Sequence, residues 1–450
     1  MPATTVNSAT GRPLVTTRKL VHISMLGFAL LLPVLTWVQA AGCAVLALLF
    51  NLFLLPRFVV DLRKRPDQSS GTSAWTGIVL YPVSVLALIL LYRHHLYVAA
   101  SAWAIMALGD GMASVAGESL RGAALPWNRE KRWTGFAGFV VAGTLGAYAL
   151  TRWVAPALPA GKVLLVSLAG ALAGALVESV PIELDDNVSV PLASGAFLFC
   201  AYMIERTALD SNLPYLGRRV LLAVGINASF ALVALGLKMV SRSGAIAGFL
   251  LGAAIYLGYG WKSFSILFTF FALGSLVTRL GYASKAKRGV AERRGGARSW
   301  REASANSLAG AFFSILAITT HHEAAFLVAL VAAFAEAAGD TVSSEIGQWL
   351  SQRAYLITTF QPVPAGENGG VSLGGTVAGL AASGIVAGVG FALGLCGPAG
   401  AAIALGAGFA GNLLDSMLGA TIERRGLVTN GIVNFVGTSF AGGLALAMML

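Results

Sequence analysis

Hydrophobic positions in this chain neither alternate with polar ones nor form one-sided helical stripes. They run on for about 20 residues at a time and stop at short polar segments. Runs such as Leu20 to Val38 or Val220 to Val240 have the length a helix needs to cross roughly 30 Å of hydrocarbon. Lipid offers a backbone no hydrogen bonds, which leaves helices or closed barrels, and the Val, Leu, Ala and Gly mixture lacks a barrel's two-residue period. The pattern predicts an all-α polytopic integral membrane protein of about 14 to 15 transmembrane helices. Residues 1–19 are polar and basic, and the first apolar run continues without a convincing small-residue cleavage site. Insertion is therefore expected to begin with that helix and not with a removed signal peptide.

Composition agrees: 56% of residues are hydrophobic and 11% charged, with a mean hydropathy of +0.76, values outside the soluble globular range. Cys43, Cys200 and Cys396 lie in separate apolar runs, which argues for packing over a disulfide framework or a CxxC metal site. The net charge of +11 has a topological origin. With the N-terminus in the cytoplasm, 24 of the 31 Lys and Arg fall in cytoplasmic segments, eight of them in 279–301, as the positive-inside rule favours. The expected location is the inner, cytoplasmic membrane, with the N-terminus and the active-site loops facing the cytoplasm. The bilayer is the expected partner and a nucleic acid is not.

Within the apolar background one motif occurs twice. Ala107-Leu-Gly-Asp-Gly-Met-Ala-Ser-Val-Ala-Gly117 returns as Ala337-Ala-Gly-Asp-Thr-Val-Ser-Ser-Glu-Ile-Gly347. Each copy ends an apolar run in an aspartate, an expensive group at membrane depth unless it meets a cation or a watery cavity, which makes Asp110 and Asp340 the first functional candidates. Both motifs fall on the cytoplasmic side, so the repeats are expected to be parallel. Two halves, 1–210 and 241–450, would then be joined by a linker helix within 211–240 that follows the polar, Pro-containing stretch Asp210 to Arg219.

The repeat extends further, since Lys131-Arg-Trp-Thr-Gly-Phe-Ala-Gly138 is matched by Gly369-Gly-Val-Ser-Leu-Gly-Gly-Thr376, each a glycine-rich segment opening a helix. Glycines and a hydroxyl at a helix N-terminus suit an anion, although tight helix packing is an equally good reason for glycine in a membrane protein. An acidic pair follows in each half, Glu178 with Asp186 and Asp415 with Glu423, eight positions apart both times, with Asn187, Asn430 and Asn434 nearby as neutral ligands. Oxygen ligands for Mg²⁺, a phosphate-cradling backbone and basic residues are the parts of phosphoryl transfer. No Walker or protein-kinase motif is present. His22, beside Arg18 and Lys19, is either a base or a polar anchor at the interface. The basic segment 279–301 suits either anionic lipid or a triphosphate.

Two families share these residues. Residues 1 to about 210 resemble the phytol kinase and dolichol kinase group through Arg18-Lys-Leu-Val-His22, Leu108-Gly-Asp-Gly-Met-Ala-Ser114, Gly117-Glu118, Leu125-Pro-Trp-Asn128, Lys131 to Gly135 and Asp185-Asp-Asn187. Residues from about 220 to 450 resemble the phytyl-phosphate kinase family. The carriers there are Gly260-Trp261, Gly274-Ser275, Thr278-Arg279, Lys285, Gly295-Gly296, Arg298, Ala305-Asn306, Gly339 to Gly347, Gly366 to Ser372, Asp415-Ser416 and Asn430 to Asn434.

The resemblance implies a fused pair of isoprenoid-salvage kinases, with CTP as donor and Mg²⁺ as cofactor. The first would phosphorylate a prenyl alcohol of the phytol or geranylgeraniol type. The second would convert the resulting prenyl phosphate to the diphosphate, a precursor for tocopherol or prenylquinone. It also implies roles. Asp110, Asp340 and His22 would be catalytic. Asp110, Glu178, Asp186 and Asn187 would hold metal in the first half, and Asp340, Glu345, Asp415, Asn430 and Asn434 in the second. Lys131, Arg132, Thr134 and Gly135 would bind the nucleotide in one site; Asn368, Gly369, Gly370, Ser372 and Gly374, with Arg279, Lys285 and Arg298, would do so in the other. Arg18 and His22 would position the alcohol. Two rival classes share parts of this pattern: a secondary transporter with a parallel repeat, and a cytidylyltransferase forming a CDP-lipid.

Overall fold

A computed structural model describes residues 23–58, 74–120, 122–291 and 296–450. Among them, ten helices are long and apolar enough to cross a membrane. They are α1 (Trp37–Phe58), α3 (Leu96–Ser119), α4 (Trp133–Val154), α5 (Ala160–Ser179), α7 (Arg206–Gly236), α9 (Trp261–Arg279), α12 (Glu323–Leu350), α13 (Leu373–Ala392), α14 (Pro398–Glu423) and α15 (Asn430–Met449). Four more helices of 17 to 20 residues pack among them: α2 (Ala74–Leu91), α6 (Asp186–Tyr202), α8 (Arg242–Tyr259) and α11 (Trp300–Thr319). The short α10 (Tyr282–Lys287) follows α9. The protein is thus an all-α polytopic membrane protein.

Local chemistry sets many of the ends. Thr36 with Gln39, and Ser299 with Glu302, form capping boxes for α1 and α11. The Ser241 and Ser372 hydroxyls accept the N–H of Gly244 and Gly375 at the starts of α8 and α13. Each satisfies a donor that a helix start leaves orphaned. Gly260, at φ +71, turns α8 into α9 in a conformation that side chains rarely adopt.

The chain divides into two compact units, Met1–Tyr202 and Met203–Leu450. In the first, α3 packs against α2, α4, α5 and α6, and its apolar stretch from Val98 to Ala107 is buried throughout. In the second, α12 is enclosed by α9, α11, α13, α14 and α15, and residues 325–339 are all buried. A helix apolar on every face belongs inside a bundle, and its many alanines let five neighbours approach closely. Because α3 and α12 carry Asp110 and Asp340, each repeated aspartate emerges from the middle of its unit. The helix expected to link two halves begins earlier than the apolar run suggests, at Arg206, and clusters with the second unit. Pro214 lies inside it and removes one N–H without ending it.

Glycine sets how near α8 and α11 come. A Cβ on Gly258 would run into the backbone and hydroxyl of Ser314, whereas one on Gly248 would meet open space. Gly258→Ala should destabilise the protein by about 1 to 3 kcal/mol through overpacking, read as a lower thermal midpoint in detergent. Gly248→Ala should leave that midpoint unchanged.

Candidate functional site

In the first unit a short loop builds the site. Residues 122–132 double back through a bridge between Ala124 and Arg132, with Leu125 N–H donating to the Lys131 carbonyl at 2.8 Å. The loop is fastened to the C-terminus of α5: Asn128 Nδ2 donates to the Ser179 carbonyl at 3.1 Å and Trp127 Nε1 to the Ser179 hydroxyl at 3.1 Å. The first of these occupies a carbonyl that a helix end leaves without a partner, and together they set Lys131 above Glu178.

Lys131 Nζ lies 2.7 Å from Glu178 Oε1 and 3.7 Å from Asp186 Oδ2, and it donates to the Glu178 carbonyl. Asp110, Glu178 and Asp186 each bring a carboxylate oxygen within 4.8 Å of the others. Asp110 ends a stretch of wide π-helical turns, Ile105–Asp110, a local irregularity that often re-aims a functional side chain. Burial alone would lower the Lys131 ammonium, but Asp186, Glu178 and Asp110 outweigh it and hold its pKa above the usual lysine value. Asn187 gives its amide N–H to Asp185 Oδ1 at 2.8 Å, while its own buried Oδ1 has no hydrogen-bond partner. Three carboxylates and an orphaned amide oxygen are donors that suit a hard divalent cation, which takes oxygen ligands.

The glycine-rich start of α4 serves packing. A Cβ on Gly135 would lie 3.0 Å from the Ala113 carbonyl, and Gly117 faces it at 3.6 Å. Arg132 precedes α4 as its cap residue, and the Thr134 hydroxyl donates to the Leu120 carbonyl at 3.3 Å. Arg18 and His22 lie outside the described residues.

In the second unit the motif helix is followed by a larger loop with three strands, β1 (Arg353–Leu356), β2 (Pro362–Pro364) and β3 (Gly370–Val371), in the order β2-β1-β3 and antiparallel. Gly369, at φ +73, rests against Ala420 in the wide turns Gly419–Glu423 that end α14, and Glu367 pairs with Arg424 at 3.2 Å. Gly374 faces Leu350. Gly347 and Gly375 repeat the Gly117 and Gly135 approach, a Cβ on Gly347 lying 3.6 Å from the Gly375 Cα. Asn368 is exposed in the turn before Gly369.

Asp340 and Asp415 are electrostatic neighbours, and so are Glu423 and Asp340; Asn430 bonds the Glu423 side chain. Asn434 donates to Asn306 Oδ1 at 3.3 Å, and its own oxygen, like Asp415 Oδ2, is buried without a hydrogen-bond partner. These are oxygen donors of the kind a hard cation takes, although among the described residues only Asp110, Glu178 and Asp186 bring three carboxylate oxygens within 4.8 Å of one another. The sequence missed Glu336, which is 1% exposed and a close electrostatic neighbour of both Asp340 and Asp415. Its signal was present: a carboxylate one helical turn before Asp340 in an otherwise apolar run.

Other predicted ligands are placed elsewhere. Glu345, expected at the metal, and Lys285, expected at a phosphate, are bound to each other as a buried ion pair. Arg279 donates to the Leu237 carbonyl at 3.3 Å, beside a narrow polar cleft lined by Lys238, Ser275, Thr278 and Gly296. The Arg298 guanidinium stacks on Phe270 at 4.9 Å.

Residues 225–442 match the family described as integral membrane protein DUF92. Over 215 residues the chain is 37% identical to Protein VTE6, chloroplastic, of Arabidopsis thaliana; this covers 46% of the chain and 65% of that protein, just under two thirds of its length. It is 33% identical over 230 residues to an uncharacterized membrane protein of Methanocaldococcus jannaschii, covering 50% of the chain and 92% of the relative. A probable phytol kinase 2, chloroplastic, of Glycine max is 30% identical over 144 residues, 30% of the chain and 48% of the relative. No solved structure matches. The chain belongs to the DUF92 family of integral membrane proteins.

Proposed function

We propose that this protein is a prenyl-lipid kinase with two sites. The first unit phosphorylates a prenyl alcohol and the second converts the monophosphate to the diphosphate, with CTP as donor and Mg²⁺ as cofactor. The observation that carries this reading is the convergence of Asp110, Glu178 and Asp186 around Lys131 at the C-terminus of α5. Similarity to probable phytol kinases supports the alcohol step. The family resemblance of the second half supports the phosphate step, as does the shared order of aspartate helix, loop and three further helices in the two units.

In each step a lipid oxygen attacks the γ-phosphorus of the nucleotide, the bond to the β-phosphate oxygen breaks, and the nucleoside diphosphate leaves. The hydroxyl proton of the alcohol passes to a carboxylate, Asp110 in the first site. In the second step the attacking phosphate oxygen is already anionic, and Asp340 serves to hold the reacting groups. A bound Mg²⁺ would neutralise the phosphate oxygens. Asp110, Glu178, Asp186 and Asn187 would hold it in the first unit; Asp340, Asp415 and Asn434 would do so in the second. Lys131 has a further task in the first unit, since it keeps three like charges together before substrate arrives. Tail and head separate naturally, with the apolar chain in lipid and the reacting oxygen at the cytoplasmic face.

The test incubates detergent-purified protein with phytol or geranylgeraniol, γ-labelled CTP and Mg²⁺. Labelled monophosphate followed by diphosphate is the expected result, with CDP released. A cytidine-containing lipid with release of pyrophosphate would mark a cytidylyltransferase. No labelled lipid from any prenyl alcohol or phosphate, across CTP, ATP, GTP and UTP, would refute the kinase reading.

A further inference from the structure

The second unit holds a carboxylate that the phosphoryl-transfer scheme above does not use. Glu336 lies on α12 one turn before Asp340, is 1% exposed, and has no hydrogen bond to either carboxylate oxygen. Two glycines make its room. A Cβ on Gly411 of α14 would lie 2.7 Å from Glu336 Cγ, and one on Gly437 of α15 would overlap Glu336 Oε1. The same Cβ on Gly437 would be 3.5 Å from the Cβ of Asp415. Its carboxyl therefore projects between α14 and α15 toward Asp415, whose Oδ2 is orphaned, as is Asn434 Oδ1 one turn from Gly437. The nearby Ser383 hydroxyl is spent on the Ala335 carbonyl at 2.7 Å. A carboxylate serving only to pack the bundle would be hydrogen-bonded, because an unpartnered polar group in a low-dielectric interior costs several kcal/mol. Glu336 Oε1 and Oε2, Asp415 Oδ2 and Asn434 Oδ1 are thus four buried oxygen atoms without hydrogen-bond partners on the adjoining helices α12, α14 and α15, the kind of donor a hard cation satisfies.

We propose that Glu336 is a ligand, together with Asp415 and Asn434, of a divalent cation of the Mg²⁺ or Mn²⁺ class bound one helical turn deeper in the second unit than Asp340. The first unit has no counterpart. In the repeated motif Asp110 corresponds to Asp340, so Met106 corresponds to Glu336, and a thioether is a poor ligand for such ions. The loop of the first unit instead supplies Lys131, whereas the corresponding loop of the second, residues 351–372, has Arg353 as its single basic residue, exposed on β1. The two units thus balance their acids differently: the first has a built-in ammonium beside its metal ligands, and the second relies on the bound cation alone. A second step whose acceptor is itself a phosphate brings more negative charge to its site than an alcohol does, and a resident cation suits that acceptor. Only this last role rests on the kinase reading; the binding itself does not.

The test is Mn²⁺ titration of the full-length, EDTA-stripped protein in detergent, with free Mn²⁺ read by electron paramagnetic resonance and with no nucleotide or prenyl lipid present. Wild type should show two classes of site. Glu336→Gln should weaken one class at least tenfold and leave the class that Asp110→Asn removes, and Glu336→Asp should fall between wild type and Glu336→Gln. Metal-free Glu336→Gln should melt no lower than wild type, because no hydrogen bond is lost, while gaining less from added Mn²⁺. An unchanged isotherm would overturn the proposal. So would a lower metal-free midpoint with an undiminished Mn²⁺ gain, which would mark Glu336 as purely structural. Because no phosphorylation is measured, failure of the kinase reading leaves this outcome untouched, and the reverse holds as well.

Discussion

Asp110→Asn should stop formation of prenyl monophosphate while leaving conversion of supplied monophosphate intact, and Asp340→Asn should do the opposite. Each substitution is nearly isosteric, so folding is spared while the charge is lost. The expected loss in the affected step is on the order of a thousandfold, equivalent to about 4 kcal/mol of transition-state stabilisation, the scale of a ligand that positions a metal and neutralises charge. The measurement is turnover of alcohol and of monophosphate assayed separately, each with its own saturating lipid. If either variant loses both steps equally, the two units share one reaction centre and the two-site proposal fails. If neither variant loses either step, the acid clusters are not catalytic. The trio in the first unit makes the first arm the sharper, because Asp110 there stands within 4.8 Å of two further carboxylates.

Lys285→Met should be the most destabilising single change in the second unit. The Lys285 side chain is fully buried and that of Glu345 6% exposed, and Nζ also donates to the Val277 and Thr278 carbonyls at the end of α9. Removing the lysine strands a buried carboxylate and those carbonyls, at a cost of about 3 to 5 kcal/mol. The readout is the thermal midpoint in detergent. The double variant Lys285→Met, Glu345→Leu should recover most of the loss, since a buried pair can be exchanged for apolar residues at little net cost. A nucleotide-binding lysine would behave differently: Lys285→Met would then reduce turnover and leave the midpoint unchanged. The ion pair joins α10 to α12, and Gly281, at φ +63 with Trp349 packed where a side chain would be, sets the turn that delivers Lys285.

These two predictions divide along what the chain reveals before it folds. Asp110 and Asp340 were readable because a charge closing an apolar run is rare, and a rare feature at two places is rarer still. Glu178 and Asp186 stood out through the eight-residue spacing they share with Asp415 and Glu423, with Asn434 close to the second pair. Glu345 has the same appearance in sequence, in the same motif, yet the fold turns it toward Lys285. Motif membership does not say which face of a helix a carboxylate occupies relative to five neighbouring helices. The glycines left both uses open in sequence, anion binding and close packing. Gly135 and Gly375 open helices as an anion-binding loop would, but their missing side chains let α4 and α13 approach the motif helices at Gly117 and Gly347.

The sequence by itself determined the medium, the helical architecture, the approximate places of the crossings and the doubled aspartate. All of these follow from the cost of exposing backbone or burying charge in lipid, and that cost is written in local composition. Only the tertiary structure decided which acids converge. It set Lys131 against Glu178 and Asp186, tied Lys285 to Glu345, and brought Glu336 beside Asp415 across helices separated by some 80 positions in the chain. Those outcomes depend on how closely helices can pack where glycine or alanine faces a neighbour, a property of pairs of surfaces that no single stretch of sequence contains.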